Sequence, residues 1–155
     1  MVIMIIIIGK KRIVSISRNN ISDLAKERLA IISTINDGYK IAEDDNYFAF
    51  LDINPVSEGH TLCVPKKEVD YFFDLDEETL GGLMHFSKKV ALGIDEALET
   101  VRTGVIVEGL EVPHAHVHLV PIYYNGQPMS LGRKTEITKE RMQEVAELIS
   151  KVVEL

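Results

Sequence analysis

His114, His116 and His118 stand at every second position of a run bounded by Pro113 and Pro121. In an extended strand alternate side chains leave the same face, so three imidazoles would line one surface while Ala115, Val117 and Leu119 turn into a core. A core gains little from a row of groups that titrate near neutral pH, so the spacing reads as a site carried on a rigid element. Two chemistries want such a row. Imidazole nitrogens ligate zinc, copper and iron, and His114, His116 and a third group such as Glu108 could hold a metal. Alternatively, a neutral imidazole attacks an electrophile while its neighbours hold its tautomer and donate hydrogen bonds to the developing charge.

Residues 114–120, three histidines alternating with apolar residues, resemble the signature of the histidine triad (HIT) family of nucleotide hydrolases and transferases. Residues 43–67, which carry Asp52 between Leu51 and Ile53, His60 between Gly59 and Thr61, and the terminal pair Lys66 and Lys67, are similar to the family's other characteristic stretch. The resemblance covers residues 39 to 122. It implies that His116 attacks the α-phosphorus of a nucleotide, forming a covalent nucleotidyl-imidazole from which water releases a nucleoside monophosphate. It implies further that His114 and His118 flank the nucleophile and contact phosphate oxygens, that His60 joins the cluster, that Asp52 accepts from ribose hydroxyls, and that Leu51 and Ile53 wall the base pocket. Nucleotidyl transfer depends mainly on positioning and on stabilising charge on the equatorial oxygens, which suits a nucleophile set between hydrogen-bond donors. Asp52 also has an ordinary reading, because Asp-Ile-Asn-Pro is turn chemistry at the end of a strand.

Two departures from the family pattern bear on function. Many relatives hold a structural zinc through a Cys-x-x-Cys pair and a histidine after the two lysines. This chain has one cysteine, Cys63, and Glu68 in the histidine's place, so no structural zinc is expected. The stretch before the triad is short, with Leu110 where relatives carry a polar residue and Glu111 where a small hydroxyl would stand. A carboxylate beside a polyanionic substrate repels it unless protonated or turned outward, so Glu111 is either a substrate-side general acid or faces away. The expected consequence is an altered choice of leaving group. A nucleotide-binding module with little turnover and a histidine-ligated metalloenzyme are the alternatives.

The chain has 155 residues, 46% of them hydrophobic and 26% charged, which suits one globular domain with a sizeable core. A formal charge of −7 argues against tracking nucleic acid polymers, whose binding needs clustered lysine and arginine. A mononucleotide needs only a few aimed donors, with Mg²⁺ a possible companion of a polyphosphate. A single cysteine and no export signal point to the cytoplasm. The apolar start, Met1 to Ile8, is too short for a bilayer, which needs about twenty residues. Its β-branched residues suit an added strand or arm, set at residues 1–20 ahead of a single domain at 21–155.

Asn20 or Ser22 is expected to cap a short helix through Leu24, Leu29 and Ile32. Strands are expected at residues 39–42, 47–51, 61–64, 105–107 and 114–122, with a turn at 108–113. The longest helix should begin at a capping box of Asp74 and Glu77 and bury Leu80, Leu83, Met84, Val90, Ala91, Ile94 and Leu98, with His85 off that stripe. Thr138 should cap a last helix that buries Met142, Val145, Ala146, Ile149, Val152 and Val153. The expected fold is therefore α+β: an antiparallel sheet of about five strands, one long packed helix and a C-terminal helix. Family resemblance adds a homodimer.

Overall fold

The structure is a computed structural model that describes Ile5–Ile8, Arg12–Ser15 and residues 39–155. The chain divides into two compact units, Met1–Ser33 and Thr34–Leu155. In the first, β1 (Ile5–Ile8) and β2 (Arg12–Ser15) pair antiparallel, Ile5 opposite Ser15 and Ile8 opposite Arg12. The expected boundary at residue 20 and the helix capped by Asn20 or Ser22 lie outside the described residues.

The second unit is built on one five-stranded antiparallel sheet: β3 (Lys40–Glu43), β4 (Tyr47–Leu51), β5 (Thr61–Pro65), β6 (Arg102–Ile106) and β7 (Val117–Ile122), in the order β3-β4-β5-β7-β6. Period-two alternation sorts the side chains onto its two faces. Ala49, Leu51, Cys63, Val117 and Leu119 enter the hydrophobic core. On the other face Phe50 lies opposite Leu62, Leu62 opposite His118, and His118 opposite Ile106, giving one row across four strands.

α1 (Glu77–Leu98) packs on the core face and buries Leu83, Phe86, Val90 and Ile94. Its cap differs from the expected Asp74 and Glu77: Asp76 is the N-cap, its side chain accepting from the Thr79 amide at 2.8 Å, while Asp74 ends a single 3₁₀ turn at Phe72–Asp74. Both aspartates sit near the start of the helical period, and the intervening turn decides between them. Met84 is exposed, because the stripe is centred on Leu83 and Phe86 and leaves Met84 on its solvent side. The glycines that weaken the helix by about 1 kcal/mol each relative to alanine include one with a packing reason. The Tyr47 hydroxyl donates to the Thr79 carbonyl at 3.1 Å, and a Cβ on Gly82 would fall 2.0 Å from that oxygen.

α2 (Lys139–Ser150) starts at Thr138, whose hydroxyl accepts from the Arg141 amide at 3.2 Å, as expected, and buries Met142, Val145, Ala146 and Ile149. Strand boundaries differ from expectation by one residue at β3 and β5 and by more at β6 and β7. β6 spans Arg102–Ile106 instead of 105–107, and β7 begins at Val117 instead of His114. The β5 to β7 pairing stops at Cys63 opposite Val117, and the His114 amide donates to the Val112 carbonyl at 2.9 Å, a local turn incompatible with a ladder there.

Candidate active site

Three histidine rings meet on the sheet face opposite α1, each delivered by a different local structure. His118 is inside β7, fixed by the pairing of Leu62 and Ile106 on either side. His116 stands just before that strand, and His60 just before β5 at the end of a turn in which its amide donates to the Ser57 carbonyl at 3.1 Å. Gly59, at φ +83°, supplies the left-handed residue that this turn requires. All three rings are buried.

The rings form one chain of hydrogen bonds whose direction is set by its ends. The Val56 amide, which can only donate, lies 3.1 Å from His60 Nδ1. His60 Nε2 must then carry the ring proton, which it donates to His118 Nδ1 at 3.0 Å. His118 Nε2 in turn donates to His116 Nε2 at 3.0 Å. His116 Nδ1 holds the remaining proton and donates it to the His114 carbonyl, an obligate acceptor, at 2.7 Å. An amide at one end and a carbonyl at the other therefore agree on a single assignment, with every ring neutral and the lone pair of His116 on Nε2.

Electrostatics maintains that state. Burial, reinforced by the neighbouring His116 and His60 charges, holds the His118 pKa down to about 3. His60 is also lowered, mainly by burial, with Asp52 opposing the shift and His116 adding to it. A second proton on either ring would set two donors face to face in a buried site.

His114 is held differently. Its ring donates from Nε2 to the Pro65 carbonyl at 2.7 Å, where β5 runs beyond its pairing with β7, so its side chain belongs to the sheet edge and only its carbonyl reaches the ring chain. The expectation of three rings lining one surface is thus corrected: His60, His118 and His116 come together, and His114 turns away because the backbone bends before the strand begins. Asp52 makes the turn that its sequence allowed, and its second oxygen lies toward the rings. Oδ1 accepts from the Asn54 amide at 2.8 Å in a turn, while Oδ2 faces His60 Nδ1 at 3.8 Å. Of its apolar neighbours, Ile53 is half exposed and Leu51 is sealed into the core on the opposite face of β4. Glu111 is exposed on the connection between β6 and β7, outside the hydrogen bonds that tie the rings together.

Among the described residues, one group of ionisable side chains brings ligand atoms within 4.8 Å of one another, namely Asp52, His60 and His118. These residues do not fit an ion well. Ligation through His60 Nε2 would move its ring proton to Nδ1, facing the Val56 amide donor to donor. The metal set read from the sequence, His114 with His116 and Glu108, is not assembled. Cys63 lies fully buried in β5 with its thiol pushed up to about 12 by burial, a neutral core group rather than a thiolate ligand.

Several residues around the rings have no signature in the sequence: the Val56 amide, the carbonyls of Pro65 and His114, and Thr135, which bonds the Pro55 and Val56 carbonyls from the segment before α2. Backbone groups are present at every position, so no residue type marks them.

Comparison with known proteins matches residues 33–125 to the HIT domain model. A 16.1 kDa HIT-like protein of Mycoplasma pneumoniae is 37% identical over 93 residues, 57% of this chain and 65% of the relative. The adenosine 5′-monophosphoramidase of Saccharomyces cerevisiae is 32% identical over 92 residues, 59% of this chain and 58% of that enzyme. Thus the chain spans less than two thirds of the length of either. Among solved structures, a histidine triad nucleotide-binding protein from Sulfolobus tokodaii superposes with a TM-score of 0.69 at 32% identity, covering 80% of this chain and 89% of that one.

Proposed function

The chain belongs to the HIT family, and from that premise we propose that it hydrolyses a small nucleotide derivative at the α-phosphate through a covalent adduct on His116. The observation that carries this reading is the direction of the ring chain, which leaves the lone pair of His116 on Nε2 and pins Nδ1–H to the His114 carbonyl. His116 Nε2 attacks phosphorus, and the bond to the leaving group breaks with its electron pair going to that group, which departs as the free amine with a proton taken from solvent. Water then attacks the same phosphorus and gives up a proton to solvent, the N–P bond breaks, and the lone pair returns to Nε2 as nucleoside monophosphate departs. In the free protein the His118 Nε2–H occupies the lone pair that must attack. Substrate draws this donor to a phosphate oxygen and so uncovers the nucleophile.

Asp52 Oδ2 is the acceptor for ribose hydroxyls, and Ile53 the exposed apolar contact for the base. His114 acts through its carbonyl, not by touching phosphate. The family relative from yeast, by its name a phosphoramidase, supports an amine leaving group as the first class to try. No metal takes part in the covalent step, although Mg²⁺ accompanies a polyphosphate if one is accepted. A cytoplasmic homodimer completes the reading; β6 is a sheet edge flanked by exposed Val101 and carrying exposed Val105. The test is to supply nucleoside phosphoramidates and dinucleoside polyphosphates with and without a chelator. Release of nucleoside monophosphate from a phosphoramidate in the presence of chelator is expected, and turnover abolished by chelator in that class would contradict it.

A further inference from the structure

At its His60 end the direction of the ring chain is set by one peptide group, and what holds that group lies outside the segment matched to the family. The carbonyl of Pro55 and the amide of Val56 belong to the same planar peptide, so fixing one end aims the other. The amide end donates to His60 Nδ1 at 3.1 Å. The carbonyl end accepts from the Thr135 amide at 2.7 Å, and the next carbonyl, that of Val56, accepts from the Thr135 hydroxyl at 2.7 Å. One residue therefore grips two successive peptides at the root of the chain.

A second clamp acts between Val56 and His60. Arg141, in the first turn of α2, holds the Glu58 carboxylate with two hydrogen bonds at 3.0 and 2.6 Å, and the Tyr123 hydroxyl donates to the Glu58 carbonyl at 2.8 Å. Glu58 and Gly59 lead directly into His60, so the turn is braced before and after Val56 by side chains from the C-terminal part of the molecule. The matched segment ends at residue 125, before both Thr135 and Arg141.

We propose that Thr135 is a positioning residue for the histidine chain: its amide on the Pro55 carbonyl and its hydroxyl on the Val56 carbonyl hold the two peptides that flank Val56, keeping the Val56 amide on His60 Nδ1 and so the ring proton of His60 on Nε2. The step to catalysis rests on the reading of His116 as nucleophile, whereas the step to tautomers does not. If the hydroxyl's hold on the Val56 carbonyl is lost, the Val56 amide can swing off His60 Nδ1, His60 can carry its proton on either nitrogen, and the chain is ordered from the His114 carbonyl alone. Because Thr135 is exposed, its side chain can be changed without opening the core.

The experiment is long-range ¹H–¹⁵N correlation of the histidine rings in the free protein, for the wild type, Thr135→Val and Thr135→Ser, with steady-state kinetics on the same samples. The wild type is expected to show protons on Nε2 of His60 and His118 and on Nδ1 of His116. Thr135→Val is expected to give mixed or exchanging tautomers, with kcat lowered about three- to tenfold and KM within about twofold, the signature of lost preorganisation. Thr135→Ser, which keeps the hydroxyl, is expected to restore both. Wild-type tautomers in Thr135→Val, or equal disturbance in Thr135→Ser, would overturn the proposal. Disturbed tautomers in a protein with no turnover would keep the positioning role and sink the hydrolase reading instead.

Discussion

His60 and His118 on one side of His116, and the segment that runs from Glu111 to His114 on the other, are built in opposite ways. The first pair is buried and hydrogen-bonded at both ring nitrogens, with burial and neighbouring charge holding it neutral. The second belongs to the connection between Ile106 and Val117, where Glu111 and Leu110 are exposed and His114 spends its side chain on the Pro65 carbonyl. The difference separates a buried chain of rings that fixes a lone pair at one point from an exposed connection that takes no part in that chain. A ring chain closed at one end by an amide and at the other by a carbonyl tolerates few changes; an exposed loop tolerates many.

That contrast is broken most severely at its centre. His116→Asn removes the nucleophile, and turnover should fall by at least about 10³-fold while affinity for a nucleoside monophosphate stays within about threefold. Steady-state rates and calorimetric titration of the variant measure the two separately. A next, smaller effect is expected from His60→Leu, which orphans the Val56 amide and leaves His118 Nδ1 without its donor. Each buried orphan costs about 1–3 kcal/mol, so urea denaturation should show lower stability as well as slower turnover.

Acid titration sharpens the same comparison without any mutation. In the unfolded chain His118 takes a proton near its ordinary value, about 6.5, whereas in the folded protein it does so only near about 3. Between those values the unfolded state binds more protons, so stability falls as pH falls, with a slope of about 1.4 kcal/mol per pH unit for each proton involved. His60 adds to the slope in the same direction. Denaturation midpoints measured from pH 7 to pH 4 should therefore decline, and His118→Asn should decline less steeply. The smallest effect belongs to the loop: Glu111→Gln should change kcat by less than about twofold, since surface substitutions away from such networks are nearly neutral. A large loss across substrates would bring Glu111 into the mechanism.

Much of the scaffold was legible because burial leaves a periodic trace. The apolar run of β4, the Thr138 cap and the Met142, Val145, Ala146, Ile149 stripe all stand where alternation and helical spacing put them. Periodicity misled at His114, where an alternating sequence continues two to three residues past the point at which the ladder ends, and at Met84, where an apolar residue lies just off the buried face. Of the site, the histidines and Asp52 were visible as residue types. What orders them was not, since the Val56 amide, the His114 carbonyl and the Pro65 carbonyl have no side-chain signature, and Thr135 is an unremarkable polar residue until the fold brings it to Pro55. Leu51 illustrates the same limit from the other direction, because it ends β4 on the core face while Ile53, two residues on and beyond the strand, reaches the surface.

The central claim, that His116 is the nucleophile, is tested most directly by quenching the protein during turnover of a nucleoside phosphoramidate and locating any nucleotidyl group by peptide mass spectrometry. A nucleoside monophosphate bonded to His116, absent from His116→Asn, is the predicted result. Turnover with no adduct on that ring, or an adduct on another residue that persists in His116→Asn, would contradict it.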